Sequence, residues 1–299
     1  MLQGGGAAFQ SFVLSIDSAV TTFTLLPIPL FVLMGEVLWQ SNIAANALNA
    51  LDKLIGRVPG RLSLLTVLSG TVFSALSGST MANTAILGKL LLPEMHRKGY
   101  HNVVSMGPIM ASGALAMLIP PSALAVVYAT IAQISIGGLL IALIIPGLIL
   151  AAAYVVYIVV RCWIDPSLAP GDEPKAVSLR TAMRELAIYV LPLSLIVFCV
   201  VGVIFLGIAT PTEAAALGCV SSLALAFAYG GLSRRSFIAA VEGTVQITGM
   251  MLIIMAAAIG FSQILAFSGA SRGLLTFVTS LSVDPVVLIP AAVSWSTRK

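Results

Sequence analysis

Hydrophobic residues fill this chain in long blocks that short polar or charged stretches separate. The blocks lie at about Ala19–Gln40, Ile136–Val160, Leu186–Leu206, Thr212–Tyr229 and Gly243–Phe267. A helix needs about 20 apolar residues to cross a hydrocarbon core of roughly 30 Å, and the blocks have about that length. The pattern therefore predicts an all-α membrane protein with several transmembrane helices. We expect Pro27 and Pro29 to kink the first of them.

The stretch from Thr71 to Leu92 departs from this pattern. Two apolar arms, at about Leu62–Ser77 and Thr84–Leu92, are each shorter than a full span, and the tip between them reads SGSTMANT. Small hydroxyl and amide residues stand there in place of Leu and Val. Two paths fit these arms: one long helix with a weak point, or a hairpin that enters and leaves the membrane on the same side.

Basic residues on both sides of this stretch favour the hairpin. Lys53, Arg57 and Arg61 precede it, and Arg97 and Lys98 follow it. The positive-inside rule places both flanks in the cytoplasm, which only a re-entrant path permits. Non-helical backbone at membrane depth is tolerated only inside protein or beside water, so we expect other helices to enclose the tip.

A second interruption follows in the long apolar segment from about Asn102 to Gln133. Its sequence at residues 118–122 is LIPPS, and the adjacent Pro120 and Pro121 remove two backbone donors. The helix should open at this point and leave carbonyl groups without helical partners. The sequence predicts a proline-broken helix next to the hairpin.

The segments between the spans are interpreted from their polarity. Ser41–Arg61 is less apolar and predicts an amphipathic helix at the membrane interface. Arg161–Glu185 predicts a cytoplasmic loop because Arg and Lys residues flank its polar centre. Ser271–Leu281 is expected to lie in the interface.

The composition agrees with a protein that lives in a bilayer. Of the 299 residues, 59% are hydrophobic and 9% are charged, whereas about 25% of a soluble domain is charged. Three isolated cysteines indicate neither a disulfide framework nor a metal site. The sequence contains no HExxH, GxSxG or Walker A motif and no basic patch suited to nucleic acid, so we expect neither an enzyme nor a nucleic-acid-binding protein.

The remaining candidates for a functional role are oxygen-bearing groups at the tip. The hydroxyl and amide groups of the tip, together with the carbonyl end of the first arm, suit a hard cation such as Na⁺. The second arm begins at the tip, and its free backbone donors suit an anionic solute such as a carboxylate. A tip that holds cation and anion together would allow symport. The alternative is a patch of small residues that serves helix packing.

Two carboxylates in or near the spans each have two interpretations. Glu213 follows Thr210 and Pro211 in the pattern of a capping box with proline at the first helical position, so we expect it to hold a helix start; an intramembrane proton relay is the other interpretation. Glu36, in the last third of the first span, is either a helix-end group that reaches the interface or a functional charge.

Three ordered motifs carry a family resemblance: SALSGSTMANTAILGKLLLPEMHRKGY, then MLIPPSALAVVYATIAQISIGGLLIALIIPGLIL, then GIATPTEAAALG. They resemble the large membrane permease subunit of TRAP transporters, the tripartite ATP-independent periplasmic carriers of the ion transporter superfamily. The resemblance implies Na⁺-driven import of a carboxylate such as a C4-dicarboxylate or sialic acid by an elevator motion. It also implies two partners, a small membrane subunit and a periplasmic substrate-binding protein, in the bacterial inner membrane.

The resemblance implies that the hairpin tip and the unwound segment beside it form one cation site. The candidate substrate-binding and ion-binding residues are Ser77, Gly78, Ser79, Thr80, Asn83, Gly113, Ile119, Pro120, Pro121 and Ser122. Na⁺ itself is expected at Ser79, Asn83 and Pro120, and no other cofactor is expected.

The expected organisation follows from this family. Residues 1–61 form a scaffold helix and an interfacial helix, residues 62–133 the transport domain, residues 134–185 a span and a loop, and residues 186–299 the start of an inverted second repeat. Members of the family are longer, so we expect the chain to be short at both ends, without the second hairpin. Two alternatives stay open: a carrier of the same superfamily that needs no binding protein, and an inactive fragment.

Overall fold

The computed structural model describes residues 10, 13, 14, 17, 21–55, 58–77, 80–170, 179–270, 273 and 276. No strand occurs in these residues. The chain divides into two compact units, one formed by Thr22–Met251 and the other by Met1–Thr21 with Leu252–Lys299. The candidate site lies in the first unit. In the second unit, the longest described element is the end of the last helix.

Helices make up most of the described chain. They are α1 Pro27–Gln40, α2 Ile43–Leu54, α3 Arg61–Ser77, α4 Thr80–Arg97, α5 Asn102–Leu118, α6 Ala123–Ile131, α7 Ile136–Ile164, α8 Leu179–Glu185, α9 Leu191–Phe205, α10 Pro211–Ala228 and α11 Arg234–Phe267. Short 3₁₀ turns form at Phe23–Leu25 and Pro166–Leu168, and a π-helical segment at Leu186–Val190 joins α8 to α9.

Five helices in the described residues are long and apolar enough to cross a membrane. They are Phe23–Gln40, Ile136–Ile164, Arg180–Phe205, Pro211–Ala228 and Arg234–Ala266. Counting the bent pair α5 and α6 as one span gives a sixth. This confirms the predicted all-α polytopic membrane protein.

Several helix boundaries differ from the prediction because capping groups, rather than apolar composition, set them. Pro27 and Pro29 lie in the first turn of α1, where a missing N–H removes no helical bond, so they start the helix instead of kinking it. The predicted span from Gly243 begins at Arg234, where the Ser233 hydroxyl accepts a hydrogen bond from Ser236 N at 3.0 Å.

The three connecting segments are only partly described. Within the stretch Ser41–Arg61, where an amphipathic helix is predicted, α2 covers Ile43–Leu54; its place at the membrane interface stays a prediction. The predicted loop Arg161–Glu185 is shortened from both ends, because α7 runs on to Ile164 and α8 begins at Leu179. Of the predicted interfacial segment Ser271–Leu281, only residues 273 and 276 are within the described part.

The chain reverses direction between α3 and α4. The Asn83 side chain in α4 donates a hydrogen bond to the carbonyl of Gly70 in α3 at 3.3 Å. In one continuous helix, 13 residues would separate these positions by about 20 Å, because each residue adds about 1.5 Å. The two arms therefore form a hairpin, and both pack against α5.

Close contact between α3 and α5 depends on a glycine and on hydroxyl groups. A Cβ at Gly70 would lie 2.3 Å from Ser112 Cβ, so the two backbones approach as closely as they do only with glycine. Ser63 in α3 donates a hydrogen bond to the carbonyl of Val104 in α5. That carbonyl has no helical donor because Pro108, four residues later, has no N–H. The Ser63 hydroxyl thus replaces a lost helical bond in a segment where water is scarce.

The predicted break between α5 and α6 is present. The helix axes of α5 and α6 differ by 51° across the break. Ile119 has extended backbone, and Ser122 caps α6 by accepting a hydrogen bond from Ala125 N at 3.3 Å. The Pro120–Pro121 peptide bond is cis. The double proline ends one helix, and the serine starts the next.

Candidate functional site

Asn83 is the centre of a polar cluster where α3, α4 and α5 meet. Its amide nitrogen lies 3.3 Å from Gly70 O, 3.0 Å from Ser74 Oγ and 2.9 Å from Ser112 O. The Ser74 hydroxyl donates to Ser112 O at 3.2 Å. Asn83, Ser74 and Ser112 are fully buried. We call Gly70, Ser74, Asn83 and Ser112 the Asn83 cluster.

The geometry of this cluster fixes which way the Asn83 amide points. Two of the three neighbours of its nitrogen are carbonyl oxygens, which only accept hydrogen bonds, so the NH₂ group must face them. The amide oxygen Oδ1 then points away, and it is buried without a hydrogen-bond partner in the described part of the chain. A buried amide oxygen without a partner costs about 1–3 kcal/mol, which a cation at this position would offset.

Thr80, Thr84 and Gly113 lie beside the Asn83 cluster. The Thr84 hydroxyl donates to the carbonyl of Thr80 at 2.9 Å. A Cβ at Gly113 would lie 2.0 Å from Thr84 Oγ1 and 3.1 Å from Thr80 O. Gly113 is thus the point where α5 approaches the first turn of α4, and this contact orients the polar side of that turn.

The residues of the break border a cavity of about 670 Å³. Ile119 and Pro120 line it together with Thr71 and Val72 of the hairpin, and α7 and α9 form the opposite wall. Apart from the hydroxyls of Thr71 and Ser194, its lining side chains are apolar. The cavity therefore offers space at the helix break rather than ligands for an anion.

The carbonyl end of α5 is also covered. A Cβ at Gly147 of α7 would lie 3.1 Å from the carbonyl oxygen of Leu118, the last residue of α5. Glycine at this position lets α7 pass close to the break. No hydrogen bond between described residues joins Pro120, Pro121 or Ser122 to Asn83, so the expected grouping of tip and break in one site stays a prediction.

Part of the predicted tip lies outside the described residues. Gly78 and Ser79 are among the residues that the structure does not describe, and of Ser77 only its place at the end of α3 is described. The roles assigned to these three residues from the sequence remain predictions.

Thr210, Pro211 and Glu213 form a helix cap. Glu213 N donates to Thr210 Oγ1 at 3.3 Å, and Thr210 N donates to Glu213 Oε2 at 2.7 Å. Pro211 is the first residue of α10. The structure shows the capping box that the sequence predicts, and its exposed carboxylate is engaged at the helix start.

Gly70, Ser74 and Ser112 belong to the site although the sequence pattern does not single them out. Ser74 lies one turn before the predicted tip, and Ser112 directly precedes Gly113. A sequence signal existed, since small polar residues on three adjacent apolar helices suggest close packing. Only the hairpin contact shows that they share one amide.

The comparison with known proteins identifies the family. The family profile described as "Tripartite ATP-independent periplasmic transporter, DctM component" matches residues 6–295. The chain belongs to this family. Its relatives are transporter permeases and not enzymes, and this confirms the predicted family and the predicted absence of enzymatic activity.

Several curated TRAP permeases are similar to this chain. The ectoine TRAP transporter large permease protein of Halomonas elongata is 30% identical, over 97% of this chain and 71% of the relative. The C4-dicarboxylate permease of Pseudomonas aeruginosa is 32% identical, over 92% and 64% respectively. The sialic acid permease of Vibrio cholerae is 31% identical, over 90% and 62% respectively.

The chain thus spans about two-thirds of the length of these TRAP permeases. Their names also show that the solute varies within the family, from ectoine to C4-dicarboxylates and sialic acid. Membership of the TRAP family identifies the chain as a multi-pass membrane subunit of a transporter. It does not identify the solute.

Proposed function

We propose that this chain is the membrane permease subunit of a Na⁺-coupled TRAP transporter that imports a carboxylate-bearing solute across the bacterial inner membrane. The observation that carries this proposal is the Asn83 amide oxygen, which is buried at a helix reversal with no hydrogen-bond partner among the described residues. Family membership supplies the transport reaction, and the Asn83 cluster supplies a position for the coupling ion.

The Asn83 cluster suits Na⁺ because hard cations prefer oxygen ligands. The amide nitrogen is held by the Gly70 and Ser112 carbonyls, so Oδ1 is oriented before any ion arrives. A ligand that is already oriented loses little conformational freedom on binding. The tip residues Ser77–Ser79 and the unwound segment at Pro120 are proposed to complete the coordination.

The solute is proposed to be a carboxylate held at the start of α4. Thr80 is the first residue of that helix, where backbone N–H groups lack helical partners and the helix dipole is positive. C4-dicarboxylates and sialic acid, which relatives are named for, carry the carboxylate that such a position favours. The family description, which names a tripartite periplasmic transporter, supports a small membrane subunit and a periplasmic binding protein as partners.

An elevator motion is proposed for the hairpin and the broken helix. The cavity between these elements and α7 and α9 is lined by apolar side chains except for two hydroxyl groups, so few hydrogen bonds across this part would oppose sliding. The Asn83 cluster instead ties α3, α4 and α5 to one another through the Asn83 amide, the Ser74 hydroxyl and the carbonyls of Gly70 and Ser112. The hairpin and α5 can move as one unit if they are bonded firmly to each other and weakly to α7 and α9.

Transport is tested in proteoliposomes that contain this chain, the small membrane subunit and a binding protein loaded with radiolabelled succinate or sialic acid. An inward Na⁺ gradient should drive uptake, and a K⁺ gradient should not. Uptake that is equal in both gradients would contradict Na⁺ coupling. Absence of uptake in either gradient, while a permease of full family length works, would contradict the proposal for this chain.

The cation site is tested separately by Asn83→Ala. Loss of the amide oxygen should raise the Na⁺ concentration for half-maximal thermal stabilisation at least about tenfold, equivalent to about 1.4 kcal/mol of binding free energy. Thr66→Val is the matched control, because Thr66 is buried in α3 and its hydroxyl, among the described residues, bonds only to Leu62 O of its own helix. An unchanged Na⁺ dependence in Asn83→Ala would leave the cluster with a packing role alone.

A further inference from the structure

A polar pocket of about 410 Å³ lies between α2 and α8, away from the hairpin tip. Polar side chains of both helices line it: Asn46, Asn49 and Lys53 from α2, and Thr181, Arg184 and Glu185 from α8. We call it the α2–α8 pocket. None of its lining residues belongs to the Asn83 cluster or to the helix break.

The α2 wall of the pocket is one polar face of an amphipathic helix. Asn46, Asn49 and Lys53 are spaced by three and four residues, which places them on the same side of the helix. Ala47 and Leu51, on the other side, are buried. The helix thus faces the protein with its apolar side and presents two amides and an ammonium group to the pocket.

One ion pair joins the two walls, and one cation remains beside it. Lys53 Nζ lies 2.6 Å from both carboxylate oxygens of Glu185, so these two charges cancel. Arg184 also lines the pocket, is exposed, and has no carboxylate partner in the described part of the chain. Among the described residues, the pocket therefore carries one positive charge that no carboxylate compensates.

The donors around this charge match a phosphate group. Arg184 supplies a planar set of N–H donors, Asn46 and Asn49 supply NH₂ groups, and Thr181 supplies a hydroxyl. These four side chains make no hydrogen bond with the described residues, so all their donors are available to a ligand. One guanidinium group can donate two parallel hydrogen bonds to two phosphate oxygens. Neutral donors nearby add specificity without attracting a second anion.

The pocket also has an apolar side. Ile188 and Tyr189, from the π-helical segment Leu186–Val190, line it next to Glu185. The Tyr229 hydroxyl of α10 donates to the Ile188 carbonyl, which fixes this segment against a transmembrane helix. Segments of π-helix are frequent at functional sites. A ligand with a phosphate head and an apolar body fits both sides of the pocket.

The position of the pocket indicates the source of such a ligand. Basic residues at the ends of neighbouring helices, Arg61, Arg97 and Arg161 among them, place this end of the bundle at the cytoplasmic face by the positive-inside rule. The cytoplasmic leaflet contains anionic lipids, and basic pockets between helices on that side bind their headgroups. We infer that the α2–α8 pocket binds the phosphate headgroup of an anionic lipid, with Arg184 as the charge partner.

Lipid bound here would act on the hairpin through α2. Arg61, the first residue of α3, is buried, and it donates to Asp52 O and Asp52 Oδ1 at 2.8 Å and to Ile55 O at 3.0 Å. These bonds tie the end of α2 to the start of the hairpin. A headgroup that joins α2 to α8 therefore stabilises the base of the hairpin against α8.

The experiment counts lipids retained on the purified full chain by native mass spectrometry, after exchange from vesicles of phosphatidylcholine with and without phosphatidylglycerol. Phosphatidylglycerol should be retained by the wild type and raise its thermal midpoint. Arg184→Gln should lower retention about fivefold, the factor for one basic residue near an anionic leaflet. Arg180→Gln is the matched control, because Arg180 is an exposed arginine of α8 that does not line the pocket.

Three results would overturn the inference. Equal losses in Arg184→Gln and Arg180→Gln would show a general attraction to the membrane surface. Unchanged retention in the double variant Asn46→Leu with Asn49→Leu, which keeps the charge and removes the neutral donors, would show that the pocket is not used. Stabilisation by soluble sn-glycerol 3-phosphate as large as that by phosphatidylglycerol would assign the site to a free phosphate ester instead of a lipid.

Discussion

The carboxylate of Glu36 in α1 lies directly against Gly243 in α11. A Cβ at position 243 would be 2.8 Å from both Cδ and Oε2 of Glu36. Within the described residues, Glu36 accepts one hydrogen bond, from Gln40 Nε2 one turn later in α1, at 3.5 Å. The carboxylate is thus half enclosed by a second helix, and the residue opposite it must be small.

Gly243→Ala should lower the free energy of unfolding by about 1–3 kcal/mol, because the added methyl group overlaps the carboxylate. Thermal unfolding in detergent measures this. Gly249→Ala is the control in the same helix, since no atom lies within 4 Å of a Cβ there, and it should be neutral or stabilising. Adding Glu36→Ala to Gly243→Ala should recover part of the loss; two losses that simply add would contradict a direct contact.

Gly70→Ala should destabilise the hairpin and disturb the Asn83 cluster. Its Cβ would meet Ser112 Cβ at 2.3 Å, and because both atoms are attached to backbone, rotamer changes cannot relieve the overlap. We expect a loss of about 1–3 kcal/mol and a weaker effect of Na⁺ on the thermal midpoint. Gly107→Ala in α5 has open space around its Cβ and serves as the control. Equal midpoints for the two variants would contradict the close approach of α3 and α5.

Ser63→Ala should leave the Val104 carbonyl buried without a donor. The expected loss is about 1–3 kcal/mol, the cost of an unsatisfied buried acceptor. Pro108→Ala provides a sharp check, since it restores the helical N–H that Val104 lacks. Unfolding measurements should show that Ser63→Ala costs much less in the Pro108→Ala background. A loss of the same size in both backgrounds would mean that the hydroxyl does not replace that bond.

Arg61→Met should lower the free energy of unfolding by about 1–3 kcal/mol, because it leaves the part-buried carbonyls of Asp52 and Ile55 without their donor. The Arg61 side chain is 7% exposed, whereas that of Asp52 is 34% exposed. Asp52→Asn should cost much less, because Arg61 also donates to two backbone carbonyls that this change leaves in place. Chemical unfolding of both variants compares the two losses. A larger loss in Asp52→Asn would show that the charge pair, rather than the backbone bonds, joins α2 to α3.

The sequence alone determined the class of the protein and its broken elements. Long apolar blocks have one stable solution in a bilayer, because a helix satisfies its own backbone groups wherever water is absent. Two adjacent prolines cannot continue a helix, so the break at Pro120 and Pro121 followed from backbone chemistry. The helix cap of Thr210 and Glu213 could also be predicted, because its hydrogen bonds join residues within a stretch of four.

Tertiary structure decided which polar groups meet. The sequence singled out Asn83 but not Gly70, Ser74 or Ser112, whose positions 9 to 29 residues away become neighbours only when the hairpin closes on α5. It likewise could not pair Glu36 with Gly243, or Lys53 with Glu185, across more than a hundred residues. Hydropathy and helix signals act over a few turns, whereas the distance between two side chains in different helices depends on how closely their backbones pack. In this protein a few glycines and serines set that packing.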